Sequence, residues 1–269
     1  MDKYRNHNFN ELKRYCEKNQ SIVLAFIFGS AASGQEGEDS DIDIGVYLKD
    51  TAREDKIWIE LSGILEKQVD LVVLNDAPAT LVSSALKTGV PVVVKDRMKY
   101  LDLYLTATLE AEDFSHFAEE YWKVYQRSES LSPEDKTRLL ERIQFLESEF
   151  QEIDDLKALT REEYVEEKIK RRNIERWAEN VINATIDIAK IILASEKKEI
   201  PKTYEQALLR FGALAGLDER RAEDLASFAR LRNILAHQYL DFAYVKIMGL
   251  IREAPPLYAV VFAFLRKKI

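Results

Sequence analysis

FIFGSAASGQEGEDSDIDIGVYL, residues 26–48, decides the fold. It holds the end of an apolar run, a Gly29-Ser30 turn, ten residues rich in Gly, Ser and acids, and then Asp41-Ile42-Asp43 heading a second apolar run. Ile22–Phe28 is wholly apolar and rich in branched and aromatic residues, which predicts a buried strand; Ile42–Leu48 predicts the next one. At the end of a strand, backbone N–H groups and the Ser30 hydroxyl can hold a polyphosphate. Asp41 and Asp43 are two apart, so a strand's period of two sets both carboxylates on one face, where they can share hard cations. Asp70, in QVDLVVL, opens a further strand and completes a cluster of three carboxylates. Two Mg²⁺ ions in such a cluster would bridge triphosphate oxygens and activate an attacking hydroxyl. A polar turn before a strand explains a lone Asp-x-Asp. Four fixed positions, however, coincide by chance only on the order of 0.01 times in a chain of this length, which favours chemistry.

Outward from this stretch, the pattern predicts a helix over Phe9–Lys18, a helix over Glu54–Lys67 and a strand over Val69–Leu74. A helix follows Pro78 and ends at Gly89, and Val90–Val94 is a last strand. These elements make an α/β domain spanning 1–100. From Met98 the strand signal vanishes. Residues 98–126 read as a helix, within a helical connector and hinge over 101–132 that ends in the polar stretch Ser128–Ser132. Ser132-Pro133-Glu134-Asp135 then supplies an N-cap, a proline for the first turn and acids for the helix dipole. Leu139, Ile143, Leu146, Phe150 and Ile153 form one helical seam; Ile174, Trp177, Val181, Ala184, Ile188 and Ile191 form another. An all-α bundle over 133–269 follows, with Pro201 and Gly216 at its turns and Pro255-Pro256 punctuating its last segment. The seams exceed what one small bundle needs, so a dimer is expected.

The 269 residues are 46% hydrophobic and 32% charged, with a formal net charge of -8. This is the composition of a globular protein of about two domains. The acidic balance argues against a protein that coats nucleic acid, and no DNA partner is expected. A single cysteine, Cys16, excludes an intramolecular disulfide and a Cys-based zinc site, and three histidines add little to metal binding. The charged start, MDKYRNHNFNELKRYC, lacks the apolar core of a signal peptide. The longest apolar run, Leu257–Leu265, falls short of the roughly 18 residues that span a bilayer. A cytoplasmic protein without a membrane partner is expected.

RLRNILAHQYL, residues 230–240, holds a second constellation, Arg232, His237 and Tyr239. An imidazole moves protons near neutral pH, and a guanidinium holds a phosphate or its transition state. Together they suffice for metal-free cleavage of RNA, whose 2′-OH is an internal nucleophile. On a straight helix Arg232 and His237 point about 140° apart, whereas Asn233 and His237 stack at i, i+4. A helix-end histidine satisfied by a carbonyl is the structural alternative. The basic run Lys168–Arg172 could grip RNA phosphates, but Glu162, Glu163, Glu166 and Glu167 precede it and make a solvated helix face the better reading. Trp58, Trp122 and Trp177 fit helix packing, and His7 and His116 have no ligand-like neighbours.

Residues 20 to about 100 resemble the minimal nucleotidyltransferases (MNT), through Gly29-Ser30, Asp41-x-Asp43, Asp70 and the segment NDAPATLVSSALKTGVPVVVKD. The resemblance implies a compact palm, ATP as substrate, Mg²⁺, and transfer of a nucleoside monophosphate to a hydroxyl. Gly29 and Ser30 would carry phosphate, Asp41 and Asp43 metal, and Asp70 would be the third carboxylate and the acceptor's base. Residues 133–269, through Arg232, His237 and Tyr239, resemble the HepT-like branch of the HEPN superfamily. That implies a metal-independent ribonuclease whose copies face each other in a homodimer, with Arg232, His237 and, more weakly, Asn233 catalytic on RNA. In that branch the MNT partner is an antitoxin that adds AMP to the motif's tyrosine, here Tyr239; the two are normally separate chains. The fold class expected is α+β, a palm with a mixed sheet followed by an all-α HEPN bundle. The function expected is a fused toxin–antitoxin protein. A small-molecule nucleotidyltransferase of the aminoglycoside type, with a helical accessory domain, is the alternative, and a helical module that only dimerises is a third; neither requires Arg232, His237 and Tyr239 together.

Overall fold

In the computed structural model the described residues are 3–33, 41–127, 131–236 and 240–269. The chain divides into two compact units, Met1–Ser115 and His116–Ile269.

In the first unit β1 (Ile22–Phe28), β2 (Ile42–Leu48), β3 (Val69–Val73) and β4 (Val90–Val94) form one sheet in the order β3-β2-β1-β4. β1 runs antiparallel to β2 and β4, while β2 and β3 are parallel, so the sheet is mixed. A parallel pair needs a crossover, which α3 (Glu54–Leu65) provides between β2 and β3. One face packs Ile44, Val46 and Leu48 onto Leu12 and Cys16 of α1 (Lys3–Lys18) and Leu61 of α3. The opposite face packs Leu24, Phe26 and Phe28 onto Val82 and Leu86 of α4 (Ala79–Thr88) and Ala107 of α5 (Arg97–Tyr125). β1 is apolar throughout because both of its faces are covered. Each fully buried Leu or Ile here contributes about 1.5–3 kcal/mol of transfer free energy. Asn75 ties the turn after β3 to β2: its amide donates to the Leu48 carbonyl and accepts from the Leu48 N–H, both at 2.8 Å.

The strand bounds of β1, β2 and β4 coincide with the apolar runs. The stretch after Phe28 differs from expectation: instead of opening into a loop, the chain forms a short helix, α2 (Gly29–Ser33).

The second unit contains the rest of α5, α6 (Pro133–Gln151), α7 (Ile153–Lys157), α8 (Arg161–Glu166), α9 (Lys168–Ser195), α10 (Tyr204–Ala215), α11 (Glu219–Ala236) and α12 (Leu240–Leu265). Ser132 caps α6 as expected, accepting from the Asp135 N–H at 3.1 Å, while Asp135 accepts from the Ser132 N–H and from Arg127 at 2.6 Å. α9 is the centre of the bundle. Trp177, Val181, Ile188 and Ile191 are buried within the chain itself, as are Leu139, Ile143 and Leu146 of α6. The seams are therefore filled inside one protomer, which corrects the view that they exceed its needs.

Two further expectations are corrected at α12. Pro255 and Pro256 lie inside this helix and do not break it. Pro256 is exposed and Pro255 half-exposed, whereas Ala254, Leu257, Tyr258 and Val261 are buried. The prolines thus sit off the packed stripe, where water can bond the carbonyls that lose an N–H partner. Ala243–Leu265 is also long and apolar enough to cross a membrane by length and composition, at a mean hydropathy of 1.4, among the described residues. The uninterrupted run Leu257–Leu265 understates it, because Lys246, Arg252, Glu253 and the two prolines divide this helix. Its Ile247, Ile251, Ala254, Tyr258 and Val261 form a buried helical stripe, with Tyr258 sharing a hydrogen bond with Thr185 of α9.

Candidate active sites

The first site lies at the head of β2. Asp43 stands beside Asp70 in the parallel register of β2 and β3, so their side chains leave the same face of the sheet. That face is the one Tyr47 and Leu74 share. Asp41 immediately precedes β2 and is exposed. On the other side Asp43 pairs with Phe28, the residue before Gly29. Gly29 has φ 68, in the left-handed region, and a Cβ there would stand 2.0 Å from Asp43 Oδ2. The Asp43 carboxylate therefore lies directly against the glycine backbone, a contact only the missing side chain permits. Ser30 is half-buried in α2. The structure brings Asp43, Asp70 and Gly29 together; residues 34–40, with Gly34 and Gly37, lie outside the described residues.

The Asp43 carboxyl is pushed above its ordinary range, first by partial burial and then by the fields of Asp70 and Asp41. Like charges so arranged are what a divalent cation would offset, and all the donors are hard oxygens, so the set fits Mg²⁺ in its chemistry. Among the described residues, no group of three His, Cys, Asp or Glu side chains stands at metal-holding spacing. Mg²⁺ needs no such cage, since it commonly takes one or two carboxylates together with substrate phosphates and water. A groove of about 580 Å³ along β3, lined by Leu71, Val73, Asp76 and Pro78 among others, contains none of these acids.

The second constellation is partly described. Arg232 and Asn233 lie on α11. His237 and Tyr239 lie outside the described residues, as does the Asn233 side chain. The Arg232 guanidinium carbon is 5.0 Å from the centroid of the Tyr204 ring. Tyr204 opens α10 and meets Phe117 edge-on, with centroids 5.5 Å apart at 89°. Beside it Glu205 forms an ion pair with Arg230. Tyr204 was not singled out from the sequence: it sits on a different helix from the motif, and no spacing rule links the two.

The basic run over Lys168–Arg172 agrees with a solvated helix face. Lys170 pairs with Glu163 at 2.7 Å and Glu167 at 3.0 Å, and Arg171 donates to the Val165 carbonyl at 3.1 Å. Trp177 is buried near Phe150, as helix packing requires, whereas Trp58 and Trp122 are 46% and 45% exposed; Trp58 donates to the Val69 carbonyl at 2.8 Å and Trp122 meets Tyr125 edge-on. His116 is exposed.

Residues 10–98 match the family described as Polymerase beta, Nucleotidyltransferase, and residues 139–263 match the family Ribonuclease HepT-like. The chain thus carries a nucleotidyltransferase domain followed by a ribonuclease domain. The two matches follow one another along the chain, nucleotidyltransferase-like over 10–98 and HepT-like over 139–263. No curated protein matches it. Among solved structures it is similar to a toxin-antitoxin with AMP-PNP, at 21% identity over 44% of this chain and 94% of that one, TM-score 0.35. It is also similar to the toxin-antitoxin MntA-HepT, at 21% identity over 44% and 92%, TM-score 0.33. A third is a tri-AMPylated Shewanella oneidensis HEPN toxin in complex with MNT antitoxin, at 18% identity over 45% and 94%, TM-score 0.33.

Proposed function

We propose that the chain is a toxin and its antitoxin in one polypeptide, in which the nucleotidyltransferase domain transfers AMP from ATP to Tyr239 of the ribonuclease domain and silences it. The reading is carried by the Asp43–Asp70 register pair with Asp43 against Gly29, in a chain whose other part is HepT-like and keeps Arg232, His237 and Tyr239.

The Tyr239 phenol oxygen attacks the α-phosphorus of ATP, the bond from that phosphorus to the β-phosphate oxygen breaks, and pyrophosphate leaves. A phenol has a reference pKa of about 10, so a base must take its proton, and Asp70 is the group assigned to it. Gly29 and Ser30 hold the triphosphate. Two of Asp41, Asp43 and Asp70, together with the phosphates, would hold Mg²⁺, which when bound offsets phosphate charge and favours the ionised phenol. In the other domain His237 takes the proton of the RNA 2′-OH as that oxygen attacks the adjacent phosphorus, and returns it to the departing 5′ oxygen. Arg232 and Asn233 hold the phosphate, so no metal is required. AMP on Tyr239 places bulk and negative charge two residues from His237, where they exclude RNA phosphate. The assembly assigned is a cytosolic homodimer through the helical domain, on the strength of the motif.

The test is intact mass. The full chain, incubated with ATP and Mg²⁺, gains AMP steps on Tyr239 while RNA cleavage falls in parallel, and Tyr239→Phe stays unmodified and active. Cleavage by the unmodified chain survives EDTA. Mixing an Asp41→Asn chain with a His237→Ala chain separates the routes: AMP on the former reports transfer between chains. Tyr239 unmodified by either route overturns the reading.

A further inference from the structure

Arg232 is the charged group of the ribonuclease motif whose side chain is described, and its surroundings say how it is held. Arginine is a long, rotamer-rich side chain; fixing its head costs entropy that a rigid neighbour can reduce. Tyr204 offers such a surface. Its backbone is set by the cap of α10, where Thr203 accepts from the Gln206 N–H at 3.0 Å and Gln206 in turn accepts from the Lys202 N–H at 2.6 Å. Its ring is braced edge-on by Phe117, which is 4% exposed. α10 and α11 are held in close approach: a Cβ on Gly212 would stand 3.2 Å from the Ala222 backbone. The ring and the Arg232 guanidinium thus belong to two helices with little freedom to slide. A guanidinium over an aromatic ring uses the face of its plane, while its N–H donors lie in that plane and point outward at the rim. A contact through the face holds the group without itself using those donors.

We infer that Tyr204 is a positioning residue of the ribonuclease: its ring fixes the Arg232 guanidinium in the orientation that meets the RNA phosphate. It acts through Arg232 and does not itself touch RNA. The ring face is what matters, so the hydroxyl is dispensable. This inference rests on the ribonuclease reading above.

The experiment compares Tyr204→Leu, Tyr204→Phe and Arg232→Ala in the full chain, verified as unmodified by intact mass. Cleavage of a mixed-sequence oligoribonucleotide is followed in EDTA, which keeps the nucleotidyltransferase silent. Tyr204→Leu lowers kcat about ten- to a hundredfold with KM within about twofold, the pattern of a group held out of place. Tyr204→Phe stays within about twofold of the unsubstituted chain. A second readout is independent of activity. The Arg232 Nε–Hε resonance, assigned by its loss in Arg232→Lys, is shifted by the ring current; it moves in Tyr204→Leu and keeps its place in Tyr204→Phe. An unmoved resonance in Tyr204→Leu overturns the inference, as does full kcat in Tyr204→Leu where Arg232→Ala is inactive. Full activity in Arg232→Ala overturns the ribonuclease assignment of Arg232 itself, and the role of Tyr204 with it.

Discussion

Replacing Gly29 by alanine separates the chemistry of the first site from its stability. The residue has φ 68, where an L side chain costs about 1–2 kcal/mol. The new Cβ would stand 2.0 Å from Asp43 Oδ2 and 3.0 Å from Asp43 Cγ, so the carboxylate has to swing away by about 1 Å or more to regain ordinary contact. That oxygen is the far end of a rotatable side chain, and its retreat adds little to the folding cost. Gly29→Ala should therefore lower the melting temperature of the first unit by about 4–8 °C, at about 4 °C per kcal/mol for a domain of this size. Its effect on AMP transfer should be far larger, about a hundredfold or more, because a reacting group misplaced by 1 Å loses that order of rate. Transfer is read by intact mass after incubation with ATP and Mg²⁺, and stability by thermal melting of the same sample. Gly63→Ala is the control. Gly63 lies in α3, and its added Cβ meets nothing within 4 Å. That variant should gain about 0.5–1 kcal/mol from helix propensity and keep its transfer rate. Gly29→Ala transferring AMP within about threefold of the unsubstituted rate, despite the expected fall in melting temperature, would refute the claim that the Asp43 carboxylate at this glycine carries the chemistry.

Asp43→Asn should abolish transfer yet stabilise the first unit in metal-free buffer. The folded-state pKa of Asp43 is raised above the ordinary 3.8, so whatever stability the group lends is complete below that value and is lost as pH rises through the raised one. The gain of Asp43→Asn should hence appear above that pH and vanish in acid; a variant less stable than the parent at pH 7 in EDTA contradicts the repulsion inferred among the acids. Ser132→Ala should cost the helical unit about 1 kcal/mol. Burial pushes the Asp135 carboxyl up, but hydrogen bonds from Ser132 and Arg127 outweigh it and hold the group below 3.8. Its stabilisation is present above that value and lost as pH falls through the folded one, so Ser132→Ala should shift acid unfolding to higher pH. Superimposable acid-unfolding curves would dismiss the cap's role.

The nucleotidyltransferase half was legible because its rules are local. β1 announces itself as a strand covered on both faces by carrying no polar residue, and β2 by its strict alternation of Ile42, Ile44, Val46 and Leu48 with Asp43, Gly45 and Tyr47. Parity alone then puts Asp41 and Asp43 on one face. What parity cannot supply is the partner. That Asp70 faces Asp43 depends on β2 and β3 pairing in parallel with Ile42 opposite Val69, a register set by the crossover through α3 and by tertiary packing. The same limit applies to Gly29. The sequence marks it as a turn residue, but only the fold shows that the space it vacates is filled by the Asp43 carboxylate. Residues 29–33 read as loop because Gly, Ala and Ser give no apolar period, although five residues suffice for one helical turn.

The helical half shows the opposite balance. Its seams and the cap at Ser132 were plain in the spacing, while α12 was misjudged at Pro255-Pro256. A proline within a helix removes one N–H and crowds the carbonyl four residues earlier, a cost of about 3 kcal/mol that ordinarily ends the helix. Here burial on both sides outweighs it: Ile247, Leu250, Ile251 and Ala254 precede the prolines, and Leu257, Tyr258, Val261 and Leu265 follow, all at most 3% exposed. At about 1.5–3 kcal/mol for each large side chain, the stripe on either side exceeds what the prolines lose. Each stretch alone would tolerate a break; together they do so only if a break leaves both stripes facing the same neighbours, and a continuous helix meets that condition. The Tyr204–Arg232 contact was hidden for a related reason. Its members belong to α10 and α11, and what brings them together is the close approach allowed at Gly212 and the brace from Phe117. The motif around Arg232 lists the groups that do chemistry, but the residue that aims one of them lies where only packing could place it.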